Sequence, residues 1–513
     1  MSDWTSGYVA DIGYTYGYYS ELNPIRAKFA LLNAGYVAPS FENACELGFG
    51  QGISINMHSA ASAVKWVGTD FNPSQAAFAM GLAKASQNDA SLFDQSFEEF
   101  HERSDLPDFD FIGLHGIWSW ISDGNRALIV DFVRRRLKVG GVLYVSYNTL
   151  PGWSTFSPMR HLLTEHARVA SAPGTPTASR VDQSIEFVQK VLDVQPAYSR
   201  AVPQVSERFS RMKAQNRNYL AHEYFNRDWH PMYFSTMADW LEPAKVQFAC
   251  SAHLIDHMEP ANLTLDQRNL LKGIPNEIFR QSVRDFLVNQ QFRRDLWIRG
   301  SRRLSAIERQ ESLNACRVVL GAPRAQVPGK FSTSMGEVTL NAGVADAILD
   351  LLSDHNPREI GEIALQLKAA GISNDSVQEV VSILVGLNRV HPAQDAQTSS
   401  ACRSAAHQLN RTLLHRARAA AETAYLVSPV TGGGHDVSRF AQLFLAARLE
   451  GLRDPVDCAR AVWNVIGPQG QRLISNGKPL VSEQENLEEL HRMAADFFSG
   501  QFPVLQALDV LPV

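Results

Sequence analysis

Between residues 23 and 146 the chain alternates short, nearly continuous apolar runs with stretches of helical character, and that alternation restricts it to one fold class. Asn23 followed by Pro24 reads as an N-cap with proline at the first helical position, opening a helix to about residue 35. Residues 44–47 read as a strand, 50–64 as the helix after it, and 66–69 as a second strand followed by a helix from about residue 73. Residues 91–93 form a weak third strand and 109–114 a continuous apolar fourth. A helix over 126–137 and the pair Gly140-Gly141 lead into a fifth strand at 142–146. Buried strands separated by helices predict a doubly wound parallel α/β sheet.

A chain of 513 residues exceeds one ordinary core, so about two to four units are expected. The formal net charge of -5 gives no electrostatic reason to expect nucleic acid or an anionic membrane as partner. Cys45, Cys250, Cys316, Cys402 and Cys458 stand singly, without metal-ligand or disulfide spacing, which fits a reducing, cytoplasmic setting. No run of about 18 apolar residues predicts a membrane span. Met1-Ser2-Asp3-Trp4 shows no basic region before an apolar run, so no signal peptide is expected. Residues 171–179, 321–329 and 392–400 have linker composition.

The first strand runs into Glu46-Leu47-Gly48-Phe49-Gly50-Gln51-Gly52. Parallel sheets bind cofactors at the carboxyl ends of their strands, and glycines let backbone approach a ligand closely. Asp70 ends the second strand, followed by Phe71 and Asn72, and a carboxylate there can accept both hydroxyls of a ribose. NAD is the alternative ligand. Its pyrophosphate suits G-x-G-x-x-G, whereas the glycines here fall at every second position. S-adenosylmethionine has no pyrophosphate and needs backbone close to its methionine part, so it is the favoured cofactor. Ser96 and Phe97 follow the third strand, where adenine is contacted in such folds; Phe97 suits a core position equally well. His115 and Gly116 end the fourth strand beneath the expected sulfonium.

These residues resemble a known family. Residues 46–52, 67–70, 109–120 and 137–153 are similar to class I methyltransferases that carry a methyltransferase regulatory domain, and 219–234 and 292–300 resemble the regulatory segment itself. The family includes rickettsial protein-lysine methyltransferases of outer membrane protein B. The resemblance implies a seven-stranded Rossmann-like sheet completed by strands at 246–249 and 295–299, with a helix over 234–241 before the sixth. It also implies protein lysine as methyl acceptor. A methyltransferase unit over residues 1–305 is then expected, with an insertion at about 155–230. A winged-helix-like unit over 330–395 and a helical one over 400–513 follow. The segment before the first helix, 14–24, is rich in tyrosine where family members carry proline, and it is expected to cover the cofactor.

A lysine acceptor must lose a proton before transfer, and burial among aromatic rings lowers its pKa from about 10.4. Candidates for that work are Trp118 and Trp120 after the fourth strand, Tyr147, Asn148 and Trp153 after the fifth, and Tyr18 in the tyrosine-rich segment. Trp118 and Trp120 suit packing against the next helix equally well. His222, Glu223, Tyr224, Asp228, Trp229 and His230 form a polar-aromatic cluster whose spacing matches no common metal site; a lid role is expected instead. A small-molecule methyltransferase and a non-catalytic cofactor-binding protein are the competing functions.

Farther on, helices are expected at 344–352, 359–370 and 375–387. Asp346, Asp350, Asp354, Glu359, Glu362, Asp375 and Glu379 outnumber Arg358, Lys368 and Arg389 there, which opposes DNA binding. Helices are also expected at 404–424, 436–449 and 483–498, with Gly432-Gly433-Gly434 as a flexible break.

Overall fold

The computed structural model describes residues 5, 7–172, 174–475 and 477–511. Residues 1–4, which bear on the leader expectation, and Pro173 lie outside them. Seven strands build one sheet: β1 (Asn43–Leu47), β2 (Lys65–Asp70), β3 (Ser91–Asp94), β4 (Phe109–Leu114), β5 (Leu137–Asn148), β6 (Val246–Ser251) and β7 (Phe292–Arg299). Their order is β3-β2-β1-β4-β5-β7-β6, and β7 runs antiparallel to both its neighbours. The order reverses between β1 and β4, so the crevice for a ligand opens at the carboxyl ends of those two strands.

β5 begins at Leu137, so Gly140 and Gly141 lie inside the strand instead of preceding it. β7 starts three residues before the expected 295, because Arg293 and Asp295 are buried as an ion pair rather than turned to solvent. In the parallel half α1 (Pro24–Asn33) precedes β1, and α2 (Ile53–Ala61), α3 (Pro73–Ser86), α4 (Phe97–His101) and α5 (Asp123–Arg136) follow β1, β2, β3 and β4. The Asn23 side chain caps α1 by accepting from the Ile25 N–H at 2.9 Å.

The insertion contains α6 (Ser157–Ala170), α7 (Thr177–Asp193), α8 (Ala197–Ala201), α9 (Gln204–Lys213) and α10 (Arg217–Tyr224). Its own core joins Trp153, Phe156, Val181, Phe209, Leu220 and Tyr224. The 171–179 stretch covers the connection between α6 and α7 and the first residues of α7, within this unit. α11 (Phe234–Leu241) leads into β6, and α12 (Glu259–Asn262), α13 (Leu265–Lys272) and α14 (Glu277–Val288) lead into β7.

Beyond the sheet, α15 (Ala306–Asn314) precedes β8 (Arg317–Leu320), the hairpin β9 (Lys330–Thr333) and β10 (Gly336–Thr339), α16 (Ala342–Leu351), β11 (Arg358–Glu359), α17 (Ile360–Leu367), α18 (Asn374–Gly386) and β12 (Val390–Ala393). β8 pairs antiparallel with both β11 and β12. The 321–329 stretch therefore lies inside this unit, which starts before residue 330. At 392–400, β12 passes almost directly into α19 (Ala396–Ala417), and the Gln394 amide donates to the carbonyls of Ala61 and Pro429 at 2.7 Å each. Composition suggests linkers at both places, but pairing fixes them.

The C-terminal unit adds β13 (Tyr425–Ser428), β14 (Gly433–Asp436), α20 (Arg439–Leu449), α21 (Pro455–Ile466), α22 (Glu483–Ser499) and α23 (Gln501–Ala507). α21 is missing from the sequence reading, although Asp454 and Pro455 supply its cap and first residue. The glycine triplet is not a flexible break. Gly433 and Gly434 begin β14, and a Cβ on Gly434 would meet Met57 Sδ at 2.8 Å and the Tyr18 ring at 3.0 Å. Glycine lets this hairpin lie against α2 and the tyrosine-rich segment. Gly434→Val should therefore overpack the contact by about 1–3 kcal/mol and lower the melting temperature by roughly 5 °C. A scanning-calorimetry trace unchanged from wild type would remove glycine's role there.

Candidate active site

β1 ends at Leu47 and the chain turns through residues 48–51 before α2. Gly48 and Gly50 have φ of +75° and +58°, and a Cβ on Gly48 would meet Ile117 Cγ1 at 2.9 Å. Glycine is thus needed for both backbone angle and space. The end of β2 holds this turn: the Gly50 N–H donates to Asp70 Oδ2 at 2.8 Å and the Asn72 N–H to Asp70 Oδ1 at 2.9 Å. Glu46 is buried on β1, and its Oε2 has no hydrogen-bond partner.

The turn faces a cavity of about 190 Å³. Glu46, Gly48, Phe49, Gly50, Gln51, Asp70, Phe71, Ser96, Phe97, His115 and Gly116, all expected at the cofactor, line it. Gly52 and Asn72 do not. Gly52 is the N-cap of α2, and the Asn72 side chain caps α3 by accepting from the Ser74 N–H at 3.0 Å. Tyr8, Tyr14, Thr15, Gly17 and Tyr19 from the tyrosine-rich N-terminus also line the cavity. Gln75, Gln95 and Ile121 belong to its wall as well, and no motif points to them.

Residues 216–299 match the family model described as a predicted methyltransferase regulatory domain. Uncharacterized protein sll1526 of Synechocystis is 37% identical over 512 residues, covering 99% of both chains. This chain belongs to the class I methyltransferases that carry a methyltransferase regulatory domain. Uncharacterized protein RP789 of Rickettsia prowazekii is 27% identical over 290 residues, 54% of this chain and 50% of that one. PKMT2 from Rickettsia typhi, described in complex with AdoHcy, superposes with a TM-score of 0.67 over 95% of this chain and 98% of its own at 16% identity. The shared fold therefore extends through the units beyond the sheet.

Five of the expected catalytic residues of this methyltransferase, Tyr18, Trp118, Tyr147, Asn148 and Trp153, are not among those that line the cavity. Trp118 is fully buried, its indole N–H donating to Met232 Sδ at 3.4 Å. Tyr147 leaves β5 on the face opposite Tyr144 and Ser146 and donates to Asp295 Oδ2 at 2.8 Å. Tyr18 turns toward the β13–β14 hairpin, with its hydroxyl 3.2 Å from His58 Nε2. Trp153 sits in the core of the insertion, with the Arg208 guanidinium 4.2 Å above its ring. Strand alternation decides the case of Tyr147: Ser146 Oγ accepts from the Gly116 N–H at 2.9 Å and Tyr144 Oη lies 2.8 Å from His115 Nδ1, so the opposite parity faces the core.

Trp120 lines the cavity where Trp118 does not, and its indole N–H donates to the Glu223 carbonyl at 3.1 Å. Asn148 is buried at the end of β5. Its N–H donates to Ser119 Oγ at 2.8 Å. In the polar-aromatic cluster, His222 packs edge-on against Tyr14 at 4.9 Å and bonds the Ile12 carbonyl at 3.0 Å, and Asp228 reaches the cavity. Among the described residues no three His, Cys, Asp or Glu side chains come together in a metal-binding group.

Burial pushes the Asp70 carboxyl up to about 7, against the opposing pull of its two N–H donors. Burial, then the nearby Asp70, holds the Glu46 carboxyl well above the usual range. Burial brings His115 down to about 4, so its imidazole is neutral at pH 7. Its ring stacks on Tyr19 at 3.7 Å. Among the described residues, Glu46, Asp70, Glu98 and Asp228 line the cavity and no lysine or arginine does.

Proposed function

We propose that this chain transfers a methyl group from S-adenosylmethionine to a lysine amine of a protein. The charge of the cavity carries the cofactor reading. Four carboxyl groups line the cavity and, among the described residues, no lysine or arginine does, a lining that disfavours the pyrophosphate of NAD and suits a ligand bearing a sulfonium and an ammonium. The unpartnered Glu46 Oε2 is a feature that the ammonium of a bound nucleoside-amino acid completes. Each Asp70 oxygen keeps a lone pair beyond its backbone donor, enough for two ribose hydroxyls. In this reading Phe97 and Ser96 contact adenine, and His115 and Gly116 lie beside the sulfonium. The cofactor supplies an already activated methyl group, so this chain's work is positioning and water exclusion, with Tyr8, Tyr14 and Tyr19 lining the space.

A protein acceptor is supported by the extent of chain outside the sheet and by the whole-length likeness to PKMT2. An aromatic, carboxyl-lined cavity suits an amine better than a hydroxyl or a carbon acid. Among the described residues no helix is long and apolar enough to cross a membrane. The deciding experiment supplies methyl-labelled S-adenosylmethionine and a cell lysate, then hydrolyses the products. Label is expected in protein as methyl-lysine; label in small molecules alone, or none, sinks the reading.

The Asp70 carboxyl adds a pH signature. A ligand whose hydroxyls donate to the carboxylate favours its ionised form. With the free carboxyl at about 7, cofactor affinity should rise about tenfold from pH 6 to pH 8 and then level. Calorimetric titration with S-adenosylhomocysteine checks this; a flat profile would separate Asp70 from the ribose.

A further inference from the structure

We propose that the Tyr14 hydroxyl accepts an N–H of the substrate amine and so holds the nitrogen in line with the methyl donor, a role that rests on the cofactor and lysine readings above. Tyr14 lines the cavity, and its ring bridges the two strand ends of the crevice. A Cβ on Gly50 would stand 3.7 Å from Tyr14 Cδ1, and one on Gly116 would stand 4.0 Å from Tyr14 Oη. The ring edge therefore lies against the turn after β1, and the hydroxyl lies at the end of β4, the sulfonium end in this reading. Tyr8 is placed differently: its ring meets Phe71 edge-on at 5.6 Å, beyond the end of β2.

A phenol has one proton to donate and lone pairs to accept with. The Tyr14 hydroxyl donates to that of Tyr19, so what it offers a ligand is an acceptor. Tyr19 itself lies flat on His115 at 3.7 Å, and His115 Nδ1 is 2.8 Å from Tyr144 Oη. Other polar groups of the wall are engaged elsewhere: Ser96 caps α4, Ser122 caps α5, and the Trp120 indole donates to the Glu223 carbonyl. An uncharged acceptor suits the task. It takes an N–H from the neutral amine as well as from the ammonium, whereas a carboxylate in its place would oppose loss of the proton. The regulatory segment fixes the ring. His222 packs edge-on against it at 4.9 Å and bonds the Ile12 carbonyl at 3.0 Å, the Val9 N–H donates to Asn226 Oδ1 at 2.8 Å, and the Arg227 N–H donates to the Gly7 carbonyl at 3.0 Å.

The amine reaches the transfer step after giving one proton to water. Its nitrogen lone pair forms the N–C bond while the C–S bond of the sulfonium breaks, and that electron pair stays on sulfur. The N–H held by Tyr14 is not broken, and Tyr14 keeps its own proton. The product leaves as R–NH2⁺–CH3.

Tyr14→Phe removes the oxygen and keeps the ring. It should label lysate lysines at least about tenfold more slowly than wild type, with affinity for S-adenosylhomocysteine within about twofold. The second readout is binding to protein saturated with S-adenosylhomocysteine. N-acetyl-lysine methylamide carries N–H donors on its cation, and its Nε-trimethyl form carries none. At equal concentration the first should raise the wild-type melting temperature at least about twice as much as the second, and in Tyr14→Phe the first shift should fall to the second. Wild type that labels no lysine overturns the lysine reading and this role together. Wild type that labels lysine while Tyr14→Phe matches its rate, or keeps the preference between the two probes, overturns this role alone. Equal shifts from both probes in wild type overturn it without any variant. A trimethyl shift that rises in Tyr14→Phe to meet the other also overturns it, because the hydroxyl is then a steric wall and not an acceptor. Affinity for S-adenosylhomocysteine reduced about tenfold in Tyr14→Phe assigns the oxygen to the cofactor and overturns it as well.

Discussion

Asp70→Ala should weaken binding of S-adenosylhomocysteine at least a hundredfold and leave the protein folded. Two hydrogen bonds from ribose hydroxyls to a buried carboxylate contribute about 1.5–3 kcal/mol each, so losing both exceeds the 2.7 kcal/mol or so that a hundredfold represents. The same side chain also holds the turn through the Gly50 and Asn72 N–H groups, and alanine leaves both unpaired. That cost is offset because the buried carboxyl is itself poorly placed, as its rise to about 7 indicates. The melting temperature should therefore stay within a few degrees of wild type, and calorimetric titration reads the affinity directly. Affinity within threefold of wild type would take Asp70 out of the cofactor site. Asp70→Asn, which keeps the shape and one acceptor, should fall between.

Arg293→Met should destabilise the sheet more than any single surface change. Arg293 and its partners Asp285 and Asp295 are almost wholly buried, and its guanidinium reaches Asp285 Oδ1 at 2.6 Å and Asp295 Oδ2 at 2.8 Å. Tyr147 adds its hydroxyl to Asp295, and the guanidinium lies 4.3 Å over the Phe234 ring. Removing the cation leaves two buried carboxylates facing each other, a loss of about 3–5 kcal/mol. The first thermal transition should drop by roughly 10 °C. Adding Asp285→Asn and Asp295→Asn to Arg293→Met should recover much of it, since the stranded charge is then gone. A single variant within 2 °C of wild type would mean that the cluster contributes nothing at the edge where β7 joins β5.

That cluster also explains why Tyr147 is misleading in the sequence. A tyrosine beside an asparagine at the end of a buried strand suggests catalysis, but its partner Asp295 lies 148 residues away and is invisible to local pattern. Trp118 and Trp120 present the same difficulty. Two residues apart, they differ only in that one finds Met232 in the core and the other meets the cavity and α10. Tyr14 stands in a tyrosine-rich stretch whose spacing suggests no chemistry. Its surroundings, the Gly50 turn, the end of β4 and His222, are assembled only by folding.

By itself, the sequence determined the parallel sheet, the glycine turn and the acidic residue that steadies it. These depend on contiguous signals: apolar runs set strands, glycines set an angle and a clearance, and Asp70 follows at the end of the next strand, beside the first. The tertiary structure alone decided which aromatic and polar side chains face the cavity and that, among the described residues, no lysine or arginine lines it. It also decided that the 321–329 and 392–400 stretches and the 432–434 glycines are pinned by pairing rather than free. The physical reason is the range of the interactions. Backbone angles and strand periodicity are settled within a few residues, whereas burial, electrostatic surroundings and close packing are settled by groups hundreds of residues apart, as where Gly434 meets Met57 and Tyr18.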